Sequence, residues 1–237
     1  MTGTAGRIDK LGTNIAFAGL TAAGKTTHAR LLAAELGYEF VSATEIIVRL
    51  ANLELGSAEH VWFEHFETLE RARADDRIDC LLEAELLQLA TSRRRVVFDT
   101  WALPWISTVD MVRLYLQSDS LSRTWKCFVS QGDRPERDLA QCARLIAVKD
   151  ETTRVRLLRR HGFDVCRNLD IFDLILDNSA MMTSPTRAAA DDGIRRFAPY
   201  VGACVALQLR GDRGPLAELR ARYAREYART VRRLAAR

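Results

Sequence analysis

Asn14-Ile-Ala-Phe-Ala18 is a short apolar run ending at a glycine, and from Lys25 to Leu36 the apolar positions change to helical spacing. This pattern predicts a strand, a loop and a helix, with Gly37 stopping the helix and Tyr38–Val41 forming a second strand. Residues 43–91 read as helical throughout, with Gly56-Ser57 as a stop and N-cap inside the passage. Val96-Val-Phe-Asp99 has the look of a buried strand, launched by three arginines; Trp125–Ser130 reads as a fourth strand and Phe172–Asp177 as a fifth. Helices are expected at about 105–117 and 134–161, and another after Ser184-Pro185 whose course beyond Pro199 is ambiguous. Arg210–Pro215 reads as a linker. The chain then predicts a final amphipathic helix with Leu216, Leu219, Tyr223, Tyr227, Val231 and Leu234 on one stripe, set to dock on the core or a partner.

Strands alternating with helices predict an α/β fold with a parallel sheet and helices on both faces. The helical passage between the second and third strands is too long for a crossover, so it is expected to be an insert over the carboxyl edge of the sheet. Residues 1–210 then form one unit carrying that insert at about 43–91, with 215–237 as the C-terminal amphipathic helix. A chain of 237 residues, 48% hydrophobic and 28% charged, can bury one sizeable core and is not of disordered composition. No apolar run approaches the ~18 residues of a spanning helix, and the first dozen residues have no signal core and read as a frayed leader. The five cysteines share no metal-type spacing and suit reduced thiols in a cytoplasmic protein. The net charge of +4 comes from arginines without interleaved aromatics, which argues against a nucleic-acid partner.

Gly19-Leu-Thr21-Ala22-Ala23-Gly24-Lys25-Thr26-Thr27 fits G-x-x-x-x-G-K-[ST] and falls between a strand and a helix, the context that gives the motif meaning. Glycines let the backbone curl so that its N–H groups face phosphate oxygens, and the following helix adds the positive end of its dipole. Lys25 is expected to reach the β- and γ-phosphates from a solvated position, and the Thr26 hydroxyl to bind Mg²⁺. Asp99 ends the third strand beside the loop; it either holds Mg²⁺ through water or caps the next helix.

Further along, Ile146-Ala-Val-Lys149-Asp-Glu-Thr-Thr-Arg154-Val-Arg156-Leu-Leu-Arg159-Arg160-His161-Gly162-Phe163-Asp164 resembles the lid of cytidylate kinases, in particular the short archaeal-type subgroup. Phe172–Ser179 resembles the last core strand of that family, and Phe40-Val-Ser42-Ala43 with Ile78-Asp79 is similar to its monophosphate-binding insert. The resemblance covers about residues 14–180. It implies a P-loop nucleoside-monophosphate-kinase fold, a five-stranded sheet of order 2-3-1-4-5, ATP as donor, a small-molecule phosphate acceptor and a lid at about 149–165. It makes Arg154 and Arg156 catalytic, with Lys149 a turn earlier, since guanidinium forks grip phosphate oxygens and stay charged. Without it, an arginine-rich helix is commonly a solvated face, and Arg159 and Arg160 stay open.

The chain departs from the family pattern on the acceptor side. The subgroup carries an arginine in the first insert helix and another just after the third strand, each gripping the acceptor's phosphate. Here those positions hold Val48, with Arg49 beside it, and Trp101. One residue along a helix turns a side chain by about 100°, so Arg49 is not an automatic substitute. Trp101 and Trp105 either stack on a planar acceptor or fill core. Ser42 is expected at the acceptor, and Asp79 either binds a base amino group or hydroxyl or is a surface carboxylate. The acceptor is then a nucleoside monophosphate with a shifted grip, or a less anionic nucleoside-like or specialised metabolite. An ATP-binding module with a decayed acceptor site is the alternative from another class. His60 and His65 lie about 140° apart on a helix and form no metal pair, and His28 is expected to pack. A monomer or a homodimer fits the sequence.

Overall fold

The computed structural model describes residues 12–53, 65–132 and 137–235, so the expected leader, the Gly56-Ser57 break and His60 lie outside the described residues. The first half runs β1 (Asn14–Gly19), α1 (Lys25–Leu36), β2 (Glu39–Ser42), α2 (Ala43–Leu50), α3 (Phe66–Ala72), α4 (Arg77–Ser92) and β3 (Val96–Asp99). The second runs α5 (Leu103–Ile106), β4 (Met111–Gln117), α6 (Ser120–Val129), α7 (Leu139–His161), β5 (Leu174–Asp177), α8 (Arg187–Arg210), α9 (Gly214–Arg222), α10 (Ala224–Thr230) and β6 (Val231–Leu234).

The sheet order is β2-β3-β1-β4-β5-β6. Its first five strands are parallel and take the expected order; β6 is antiparallel to β5 and extends the sheet by one strand. Side chains alternate across a strand, so Ile15 and Phe17 of β1 enter one core and Ala16 the other. The first core joins the sheet to α1 and α8 through Leu32, Phe197, Tyr200 and Leu209. The second joins it to α2, α3 and α4 through Ile46, Ile47, Leu69, Leu82 and Leu86. Helices therefore cover both faces, and the carboxyl ends of β1 and β3 meet where ligands bind in open α/β sheets.

Two elements differ from expectation. The fourth strand is Met111–Gln117, inside the stretch read as helix, whereas Trp125–Ser130 is helical in α6 and the turn that follows it. Asp119 starts α6 by accepting the Ser122 N–H at 2.7 Å, and the buried Arg123, Thr124 and Cys127 follow helical spacing. The final amphipathic helix is also broken. It splits at Tyr223 into α9 and α10, and Val231–Leu234 pairs with β5 as a strand. An open β5 edge leaves a row of backbone donors and acceptors to satisfy, and that outweighs the helical stripe. The stripe still docks, since Leu216, Leu219, Tyr227, Val231 and Leu234 all pack on the first core.

Candidate active site

β1 delivers the chain to the loop at Gly19, whose φ is +145° and where a Cβ would stand 2.4 Å from the Leu116 carbonyl oxygen of β4. Only glycine fits that approach. Ala22 is left-handed at φ 58° and Gly24 at φ 92°; α1 begins at Gly24 with no side-chain cap, so its first N–H groups face the loop. Thr21, Ala22, Gly24, Lys25, Thr26 and Thr27 line a cavity of about 540 Å³, a volume suited to a nucleotide-sized ligand, while Ala23 is buried beneath them.

Lys25 is not solvated as expected: it is 9% exposed, and its ammonium donates to the carbonyls of Gly19 at 2.8 Å and Leu20 at 3.0 Å. Burial lowers its pKa, and Asp99 and Asp150 partly offset this. The Thr26 hydroxyl donates to Asp99 at 2.5 Å. Asp99 does not cap the following helix, whose N-cap is Ala102. A hydroxyl and a carboxylate this close, both hard oxygen donors beside a phosphate loop, fit Mg²⁺, which takes one or two protein oxygens and completes its shell with phosphate and water. The Ser42 hydroxyl caps α2 by accepting the Glu45 N–H at 3.4 Å, and Ser42 lines the cavity.

The crest of the loop is held by side chains that sequence reasoning missed. Asp150 accepts the Thr21 N–H at 2.9 Å and pairs with Arg123, which in turn donates to the Thr21 carbonyl at 3.1 Å. Asn178 donates to the Ala23 carbonyl at 2.8 Å and accepts from Lys126 at 2.6 Å. Such bracing keeps a non-glycine residue, Ala22, in the left-handed region, which costs about 1–2 kcal/mol. Burial pulls the Lys126 pKa down to about 7. Burial, with the Lys126 charge nearby, also drives His28 down to about 3, so His28 packs as a neutral ring edge-on to Phe197 at 4.8 Å. The signal for Asp150 was its place one turn before the paired arginines; Arg123 lies just ahead of Trp125–Ser130, the stretch expected as a strand, and belongs to the helix that replaces it.

The expected lid arginines do not line the cavity. Helix α7 is unbroken from Leu139 to His161, capped by Asp138 and ended by Gly162 at φ 75°. On it, Arg154 pairs with Glu151 and Asp164, both at 2.9 Å. Arg156 turns to the insert, 2.5 Å from Glu70 and 3.3 Å from the Asp79 carboxylate. Asp79 is no surface carboxylate: it is 3% exposed and grips Arg73 at 2.6 and 2.9 Å. Arg159 pairs with Asp76, and Arg160 and His161 with Glu83, so the end of α7 is seamed to α4 and its approach. Arg49 is exposed and forks onto Glu85, away from the cavity. Lys149, by contrast, lines the cavity with Lys25 and Trp101.

The two indoles part company. Trp101 lines the cavity with Lys25 Nζ 5.0 Å from its ring centroid. Trp105 is packed away from it: the ring stacks on Phe163 at 4.9 Å, meets Phe172 edge-on at 4.8 Å, and donates its N–H to the Asn168 carbonyl at 2.7 Å. Among the described residues, no helix is long and apolar enough to cross a membrane.

The cytidylate kinase-like family model matches residues 14–180. A cytidylate kinase of Ignicoccus hospitalis is 30% identical over 171 residues, which is 72% of this chain and 91% of that protein. A cytidylate kinase of Pyrobaculum neutrophilum is 27% identical over 197 residues, 83% of this chain and 95% of that protein. Among solved structures, an uncharacterized protein from Eubacterium ventriosum superimposes with a TM-score of 0.52 at 14% identity, over 78% of this chain and 98% of its own, a likeness of fold.

Proposed function

The chain belongs to the cytidylate kinase-like family and is an ATP-dependent kinase, and we propose that it passes the γ-phosphoryl group of Mg²⁺-ATP to a small nucleotide-like acceptor beside Trp101. The observation that carries this reading is the grouping of Lys25, Thr26 and Asp99 at the head of a left-handed loop, inside one cavity that continues to Ser42 and Trp101. In this reading the loop N–H groups and Lys25 hold the β- and γ-phosphates, and Thr26 and Asp99 hold the metal. Bound Mg²⁺ would neutralise phosphate charge and fix the donor's geometry. An oxygen of the acceptor forms the new P–O bond as the bond to the leaving ADP oxygen breaks, in line with it. The chain's part is to position both substrates and to balance the spreading negative charge with cations.

The relatives' name favours cytidylate as acceptor, but the arginines of the insert and lid favour a second reading. Arg49, Arg73, Arg154 and Arg156 are each clasped by carboxylates, while the cavity wall near Asp99 is built from Ser42, Thr44, Thr100 and Trp101. Hydroxyls and an indole suit an acceptor less anionic than a phosphate monoester, such as a nucleoside or a hydroxylated metabolite. A cytoplasmic setting suits the five thiols, none of which forms a disulfide. The test of the donor site is Lys25→Met, which keeps the buried stem and removes the charge. Phosphoryl transfer should fall at least a hundredfold with the fold retained; transfer at the parent rate would sink the loop assignment.

A further inference from the structure

We propose that a second anion site, separate from the phosphate loop, lies between the insert and helix α7. It is built from Arg71, Arg137 and Arg144 and takes a diphosphate group, free or carried by a nucleotide. A second cavity of about 540 Å³ is lined by Phe66 and Arg71 of α3 and by Arg137, Gln141, Arg144 and Leu145 at the start of α7. Arg71 and Arg144 are exposed and Arg137 is half-buried. Among the described residues, none of the three guanidiniums pairs with a carboxylate. Arg71 rests on its own helix, donating to the Glu67 carbonyl at 3.3 Å and the Thr68 hydroxyl at 3.5 Å. Neighbouring arginines are engaged instead: Arg73 by Asp79, Arg156 by Glu70, Arg159 by Asp76 and Arg160 by Glu83.

The start of α7 is fixed in place. Gln131 accepts the Arg137 N–H at 2.9 Å and donates to the Arg137 carbonyl at 3.1 Å. Asp138 and Gln141 close a reciprocal cap, each side chain accepting the other's backbone N–H at 2.7 Å. Gln141, Arg144 and Leu145 share one face of the first turns, directly after Arg137 and its cap. Gln141 uses its side-chain oxygen on the cap, which leaves its amide N–H₂ group to donate into the cavity. The lining thus offers three guanidiniums and an amide against the one carboxylate of Glu67. Like charges gathered without counter-charges repel, and a polyanion relieves that repulsion. Guanidinium forks match paired phosphate oxygens, so the set suits a diphosphate better than a monovalent anion. Leu145 lines this cavity and Lys149 the first, four residues and about 6 Å apart along α7. A diphosphate held here joins the insert to α7 one turn from the phosphate-loop cavity.

The test is calorimetric titration of pyrophosphate into the full chain, where the parent should bind two equivalents. Lys25→Met should abolish one, the equivalent held by the loop. Arg71→Ala with Arg144→Ala should abolish the other or weaken it at least about tenfold, the worth of one hydrogen bond between charged groups. Both arginines are exposed and in no ion pair, so the double variant should melt as the parent does. Arg220→Ala removes an exposed arginine of α9; as the control for general charge, it should alter neither equivalent. ADP titrated into Lys25→Met distinguishes the source. An equivalent bound as tightly as pyrophosphate assigns the diphosphate of a nucleotide, and a weaker one assigns the free anion. One equivalent per chain, lost with Lys25→Met, would overturn the proposal and leave the loop reading intact. A second equivalent that the double variant keeps at parent affinity, or loses no more than Arg220→Ala does, would overturn it too.

Discussion

Replacing Asp79 with alanine separates a substrate role from a structural one. Asp79 lies between Arg73 and Arg156, and the side chains of the three are 4%, 9% and 10% exposed. One carboxylate oxygen takes both Arg73 bonds; the other lies 3.3 Å from Arg156 Nε without hydrogen-bond geometry. Removing one partner of a buried ion pair leaves the other desolvated and costs about 3–5 kcal/mol. Glu70, 17% exposed and 2.5 Å from Arg156, remains to share both guanidiniums, which places the loss near about 3 kcal/mol. For a chain of this length that is a fall of about 6–12 °C in melting temperature. Because the cluster is buried, the loss should change little between low and high salt, unlike that of an exposed pair. Thermal and urea unfolding of Asp79→Ala at two salt concentrations measures it. A melting temperature within about 2 °C of the parent, with a raised acceptor KM, would refute the structural assignment and return Asp79 to the acceptor site.

Trp101→Leu should raise the acceptor KM about tenfold and the ATP KM much less, and CMP should be a poor acceptor; a CMP kcat/KM of about 10⁶ M⁻¹s⁻¹ or more would mean that an arginine leaves its carboxylate to clamp the phosphate. Lys126 gives a pH signature: between about 7 and the ordinary lysine value of 10.5, the unfolded chain holds a proton that the folded chain lacks, so stability should rise with pH across that window. Lys126→Met should flatten the rise, and an equal slope in both proteins would show that Lys126 is ordinary in charge.

The phosphate loop was legible because its chemistry is local: glycines, lysine and threonine at fixed offsets between a strand and a helix determine the geometry without help from distant residues. The run expected to form a lid was legible as a helix but not in its contacts. Nothing in the run Arg154-Val-Arg156 tells whether a guanidinium will meet a phosphate or Glu70, which is 86 residues away. The strand at Met111–Gln117 was missed because short apolar runs fit either period, and Trp-Lys-Cys-Phe-Val is as apolar as Val-Arg-Leu-Tyr-Leu. What distinguishes them is the N-cap at Asp119, a helix-start residue that accepts the Ser122 N–H. β6 was not legible, because the last stripe is sound helical patterning and only the open edge of β5 explains why Val231–Leu234 leaves it.

The central claim is phosphoryl transfer, as opposed to nucleotide binding or hydrolysis. The most direct measurement incubates the protein with Mg²⁺ and γ-¹⁸O-labelled ATP against a panel of nucleotides, nucleosides and hydroxylated metabolites, with mass spectrometry of every product. The account predicts one labelled phosphorylated acceptor formed mole for mole with ADP, and no product with Lys25→Met. ADP released only with labelled inorganic phosphate across the panel, or no ADP at all, would contradict it.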